Sequence, residues 1–162
     1  MRRIPAALAL PFALPFALAT GADARPRGLA WTLVNTAAVP TLRCAGPDCM
    51  PETFRISCAP AGLRLEVVTR SVPRGVARDA QTFPSRVSLF LGQTELSLGG
   101  IATRCPEGGS RVEVPVPRDI DLLAEVARQG RLVAVTFAGR TDAPPPPPEL
   151  AAAFRAACAT ER

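Results

Sequence analysis

The chain has 162 residues, of which 48% are hydrophobic, 5% aromatic and 20% charged, with a formal net charge of +5. It contains no histidine, tyrosine or lysine, so the commonest general base and every Ser-His-Asp or Cys-His arrangement are excluded. A positive balance this modest fits weak attraction to anionic surfaces and does not argue for nucleic acid.

The first residues, "MRRIPAALALPFALPFALATGADA", place two arginines before an apolar run from Ile4 to Ala19, with small residues at Ala17, Ala19, Ala22 and Ala24. That is the layout of a secretory signal peptide over residues 1–24, with cleavage expected after Ala19 or Ala24. A retained anchor needs about 20 apolar residues, and Pro11 and Pro15 interrupt this run. No cysteine follows it before Cys44, so no lipoprotein signal is read. Residues 25–162 are then one small domain, exported to the periplasm or secreted, with no transmembrane segment after cleavage.

Strand-like segments follow at Leu29–Thr36, Thr53–Cys58, Leu63–Thr69, Arg86–Gly92, Thr94–Gly100, Arg111–Val116 and Arg131–Gly139. Gly and Pro separate nearly all of them, and hairpins are read around Pro60–Gly62 and Gly92–Gln93. One helix is expected over Arg118–Gly130, with Asp119 or Asp121 in its first turn and Gly130 beyond its end. Its stripe is Leu122, Leu123, Val126 and Ala127. A polyproline spacer (143–148) leads into a final helix on which Leu150, Phe154 and Cys158 share a face. The fold class is mainly β: a two-layer β-sandwich or a curled antiparallel sheet with two helices, stapled by disulfides.

Five cysteines in an exported chain point to disulfides. A zinc site would want further paired Cys or His ligands, and a redox motif would want Cys-x-x-Cys before a helix; neither pattern is present. Side-chain direction favours Cys58 with Cys158, since both sulfurs face inward, while Cys44 and Cys49 flank the turn residues Gly46 and Pro47 and close a small loop. Cys105 is then a candidate free thiol beside Arg104, or a partner of Cys44 or Cys49 in another connectivity.

No glycine-rich phosphate loop is present. Glu95, Glu107, Glu113, Asp119 and Asp121 are accounted for by solvated faces and helix caps, so an enzyme is not expected, nor a metal or cofactor. Arg70, Arg74, Arg78 and Arg86 form a candidate anion-binding set for lipid heads or cell-wall polymers.

"LAWTLVN", "FRISC" with "LRLEVV", "ARDAQTFPS", "LLAEVARQGRLVAVTFAG" and the closing "AAFRAAC" together resemble the type VI secretion-associated VasI-like proteins. The outline is also similar to the invasion-associated locus B family. The resemblance implies a small exported bacterial β-rich domain and makes Cys58 and Cys158 the matching pair. The proline run, Cys44, Cys49 and Cys105 depart from those patterns. The expected function is non-enzymatic: a periplasmic accessory protein of the cell envelope, binding another protein, an anionic polymer or a lipid surface. The rivals are an inhibitor of an envelope-attacking hydrolase that presents the Cys44–Cys49 turn, and a thiol-redox accessory using Cys105.

Overall fold

A computed structural model describes residues 30–36, 38–45 and 53–160. The signal-type segment and Cys49 lie outside these residues. The strands are β1 (Ala30–Thr36), β2 (Val39–Ala45), β3 (Phe54–Ala59), β4 (Gly62–Thr69) and β5 (Thr82–Leu91). They are followed by β6 (Thr94–Arg104), β7 (Ser110–Pro117), α1 (Leu122–Gln129), β8 (Leu132–Thr136), β9 (Gly139–Ala143) and α2 (Pro148–Thr160). The strands form a single antiparallel sheet in the order β1-β2-β3-β4-β7-β6-β5-β8-β9, curled into a half-barrel. Of the two architectures the sequence allows, the curled sheet is the one formed. The β4–β5 connection steps over β7 and β6, and the β7–α1–β8 connection steps back over β6 and β5.

Alternation along the strands decides which face lines the curl. In β7, Ser110, Val112, Val114 and Val116 point inward, while Arg111, Glu113, Pro115 and Pro117 point out or to the rim. Leu42, Phe54, Ile56, Leu65, Val67, Val87 and Leu89 complete the lining, all fully buried. On the outer face Glu66 lies between Arg55 at 3.6 Å and Arg111 at 3.2 Å, and Arg64 meets Glu113 at 3.1 Å.

Four prolines sit inside strands, and their placement shapes the curl. Proline has no N–H to give a ladder, so it is tolerated where one side of a strand lacks a partner. Pro40 pairs only towards β1, because β2 meets β3 from Thr41 onward. Pro84 pairs only towards β6, since β8 reaches β5 at Ser88 and Leu89. Pro115 and Pro117 pair only towards β4, because β6 meets β7 no further than Glu113. At that point β6 carries Gly99 and Gly100, and a Cβ on Gly100 would overlap the Glu113 carbonyl. The β6–β7 ladder ends there, with the glycine letting the two backbones meet closely. Helix α1 follows at once and lays Leu122, Leu123 and Val126 into the core.

Two strands escape the sequence reading. β2 is hidden by Pro40 and by its cysteine-rich context, and β9 is short and polar. Pro84 likewise makes β5 look shorter than it is. The expected cap resolves to Asp121, whose carboxylate accepts the Ala124 amide at 3.0 Å, and Gly130 takes the left-handed position at the end of α1.

The open side of the half-barrel is covered by the tail. The indole Nε1 of Trp31 donates to the Pro144 carbonyl at 2.8 Å, joining β1 to the chain that leaves β9, and Pro146 is buried. The proline run is thus a packed strap as well as a spacer. Helix α2 then packs on β1 and β2 and buries Phe154. Cys58 and Cys158 form a disulfide with Cα atoms 5.6 Å apart across 100 residues of sequence.

A helix of this length is marginal alone in water. Burial of Phe154 contributes roughly 1.5–3 kcal/mol, whereas closing a loop of this size contributes about 4.7 kcal/mol. On the chain-entropy model the disulfide thus adds more to global stability than the burial of Phe154 alone. Cys158→Ser is expected to lower the unfolding free energy by on the order of 2–5 kcal/mol, read from urea titration of the mature protein. Reduction of the wild type should give a similar loss, and a variant with the wild-type midpoint would contradict this account.

Candidate functional site

The disulfide forms part of the wall of an open cleft of about 930 Å³. The cleft lies where β2 begins at Val39, where the β3–β4 turn runs from Cys58 through Pro60 to Leu63, and where β7 ends at Pro117. Ile120, just before α1, adds half-buried apolar surface, while Leu123 on α1 and Phe154 on α2 line the cleft but are almost wholly buried. Three charged side chains stand among these lining residues: Arg118, Asp121 and Arg155.

The β3–β4 turn is tight because Ala59 pairs directly with Gly62. Gly62 has φ +141°, and a Cβ there would lie 2.5 Å from the Val116 carbonyl oxygen and 3.3 Å from Arg118 Cγ. The absent side chain lets the end of β7 lie close against the turn and sets the stem of Arg118 across it. The next residues fold back through the Ile120 amide donating to the Pro117 carbonyl at 3.2 Å, which delivers Asp121 to the cap of α1.

Asp121 joins the two helices. Its Oδ1 accepts from Arg155 Nη2 at 3.1 Å and from the Ala124 amide at 3.0 Å. Partial burial pushes the carboxyl upward, but the Ala124 amide and the Arg155 guanidinium outweigh it and hold the group below the usual aspartate range. This carboxylate is committed to capping and pairing. Glu113, on the outer face, is likewise paired with Arg64.

The sequence-derived candidates are distributed differently. Cys58 and Cys158 are in the cleft wall. Cys44 is fully buried on β2, opposite Trp31 and Phe54, and its proposed partner Cys49 lies outside the described residues. Cys105 is half-buried at the β6–β7 turn and forms no disulfide among the described residues. Arg104, expected as a neighbour that would activate it, directs its guanidinium to the Ala80 and Ala77 carbonyls at 2.7 and 2.9 Å.

Arg70, Arg74 and Arg78 are exposed on the β4–β5 connection, and Arg86 is exposed on the outer face of β5. That connection is pinned. Thr69 and Ser110 hydroxyls donate to the Ser71 carbonyl, Arg104 holds its far end, and Val72 and Val76 pack against the core. It leaves from the opposite end of β4 to the cleft, so the arginine set and the cleft are separate features. Sequence reasoning does not single out Arg118 or Arg155; the only available signal is that Arg155 stands one turn before the bridging Cys158.

Among the described residues, no group of three or more Cys, Asp or Glu is placed to hold a metal ion, and no helix is long and apolar enough to cross a membrane. No protein-family model, curated protein or solved structure matches the chain.

Two outcomes follow from the site geometry. Gly62→Ala should cost about 1–3 kcal/mol in denaturant titration, because both the positive φ and the Val116 carbonyl oppose a side chain. A depressed folded-state pKa contributes stability that is present above the unfolded value and lost as pH falls through the folded one. The stability gap between wild type and Asp121→Asn should be full above the ordinary aspartate range and narrow as the pH falls below it, followed by urea midpoints.

Proposed function

We propose that the chain is an exported, non-enzymatic binding or accessory protein of the bacterial cell envelope, with the cleft as its ligand-binding side. The observation that carries this reading is the cleft itself: an open recess of ligand-sized volume whose lining mixes apolar with charged side chains. Its only carboxylate, among the described lining residues, is tied to a helix cap and a guanidinium. A binding role uses such a surface directly, whereas acid–base chemistry would need a group free to exchange protons.

Export is supported by the signal-type opening of the chain and by a structural disulfide, which persists in an oxidising compartment. The likeness in outline to the VasI-like and invasion-associated locus B families belongs to the same reading. The pinned arginine connection supplies a secondary contact for anionic polymer or lipid, through Arg70, Arg74 and Arg78.

The test places a photo-crosslinking residue at position 120, in the cleft, and separately at position 95, on the β5–β6 hairpin. Chain recovered from the periplasm should begin after Ala19 or Ala24 and give a defined adduct from position 120 only. Uncut chain in the cytosol with five titratable thiols, or equal labelling from both positions, would overturn the proposal.

A further inference from the structure

We infer that β1 is a docking edge for a second copy of this chain, whose own β1 adds antiparallel to it about a two-fold axis at Leu33. The inference is independent of the cleft. β1 is one border of the sheet, and it pairs with β2 along its whole length, from Ala30 opposite Ala45 to Thr36 opposite Val39. Its sequence, AWTLVNT, holds no charge and no proline, the usual guards of a border strand, whereas β9 sets charges in its middle.

Backbone direction decides which groups the edge offers. The Pro40 carbonyl oxygen lies 3.6 Å from Cys58 Sγ on β3, and the Cys44 carbonyl accepts the Thr53 amide, just before β3, at 2.9 Å. These residues, with Leu42 between them, aim their backbone groups at β3. Their opposites Asn35, Trp31 and Leu33 therefore aim theirs away from β2. Among the described residues nothing hydrogen-bonds to those outward amides and carbonyls. The proposed axis sets Leu33 against its own copy and Trp31 against Asn35 of the second copy. Each such pair exchanges both of its hydrogen bonds, so every outward group is answered on both sides. On the outer face the same register sets Thr32 against Val34, with no like charges opposed. The edge is also held extended beforehand, by the β2 ladder and by the Trp31 indole bond to Pro144 at 2.8 Å, so pairing orders little loose chain. Because both copies use the same strand, the association closes at two.

The experiment is analytical sedimentation of the mature, disulfide-bonded protein over rising concentration, joined to photo-crosslinking from position 32 with the product mapped by peptide mass. The expected result is a reversible monomer–dimer equilibrium with no larger species, and an adduct that joins position 32 to the Val34 region of the second copy. Asn35→Pro removes an outward N–H on each side of the axis and should weaken the dimer by about tenfold or more. Its urea midpoint at monomeric dilution should stay close to wild type, because Asn35 is exposed and its N–H faces a side with no strand, where this sheet already places prolines. A chain that is monomeric at every concentration, assemblies beyond the dimer, or an Asn35→Pro dimer as tight as wild type would overturn the inference. So would an adduct outside β1 of the second copy, a readout that stands even if the proline variant fails to fold. A monomer that crosslinks from position 32 to a different envelope protein would mean that the edge takes a foreign strand, and self-pairing would be wrong. The crosslink from position 120 reads the cleft separately, so either proposal can fail without the other.

Discussion

A sheet that curls without closing leaves an apolar trough with one uncovered side, and everything else in this chain depends on covering it. The tail does so through two unlike contacts at its two ends. At the start, an indole N–H meets a proline carbonyl, which draws the chain leaving β9 across to β1. At the finish, a sulfur–sulfur bond fixes the helix to β3. Between them Phe154 fills the trough. The proline strap reduces the conformational freedom that must be given up to bring the helix home, and the covalent tie removes more of it from the unfolded chain. The cleft is a by-product of this arrangement, since its walls are the places where helix, turn and strand end fail to meet.

Much of the fold is legible in the sequence because alternation is a strong signal when one face of a sheet is buried. Phe54, Ile56 and Cys58 on one strand, and Phe154 and Cys158 on the tail helix, announce their inward faces, and from those faces the long disulfide can be reasoned. The caps of α1 are legible for a similar local reason: Asp121 and Gly130 answer needs created by a single helix end.

β9 is missed because it is short and polar, whereas the misses at β2 and at the start of β5 trace to proline. Proline reads as punctuation, which is sound for a strand paired on both sides. Here the ladders are staggered, so that Pro40, Pro84, Pro115 and Pro117 each face a side with no partner. That stagger is a property of the whole sheet and leaves no mark on any one segment. The cleft is less legible still. It gathers residues from β2, the β3–β4 turn, the end of β7 and both helices, and neither Arg118 nor Arg155 belongs to a pattern that a linear reading would isolate.

The last strand carries a consequence of its own. β9 is five residues long, sets Arg140 and Asp142 in its middle, and runs straight into proline. A neighbouring molecule seeking to extend the ladder there would meet two solvated charges and then a backbone with no hydrogen to donate. An unclosed sheet is usually an invitation to polymerise; at this border the chain withdraws it, and so can keep a gap in its wall without having a second copy zip onto β9.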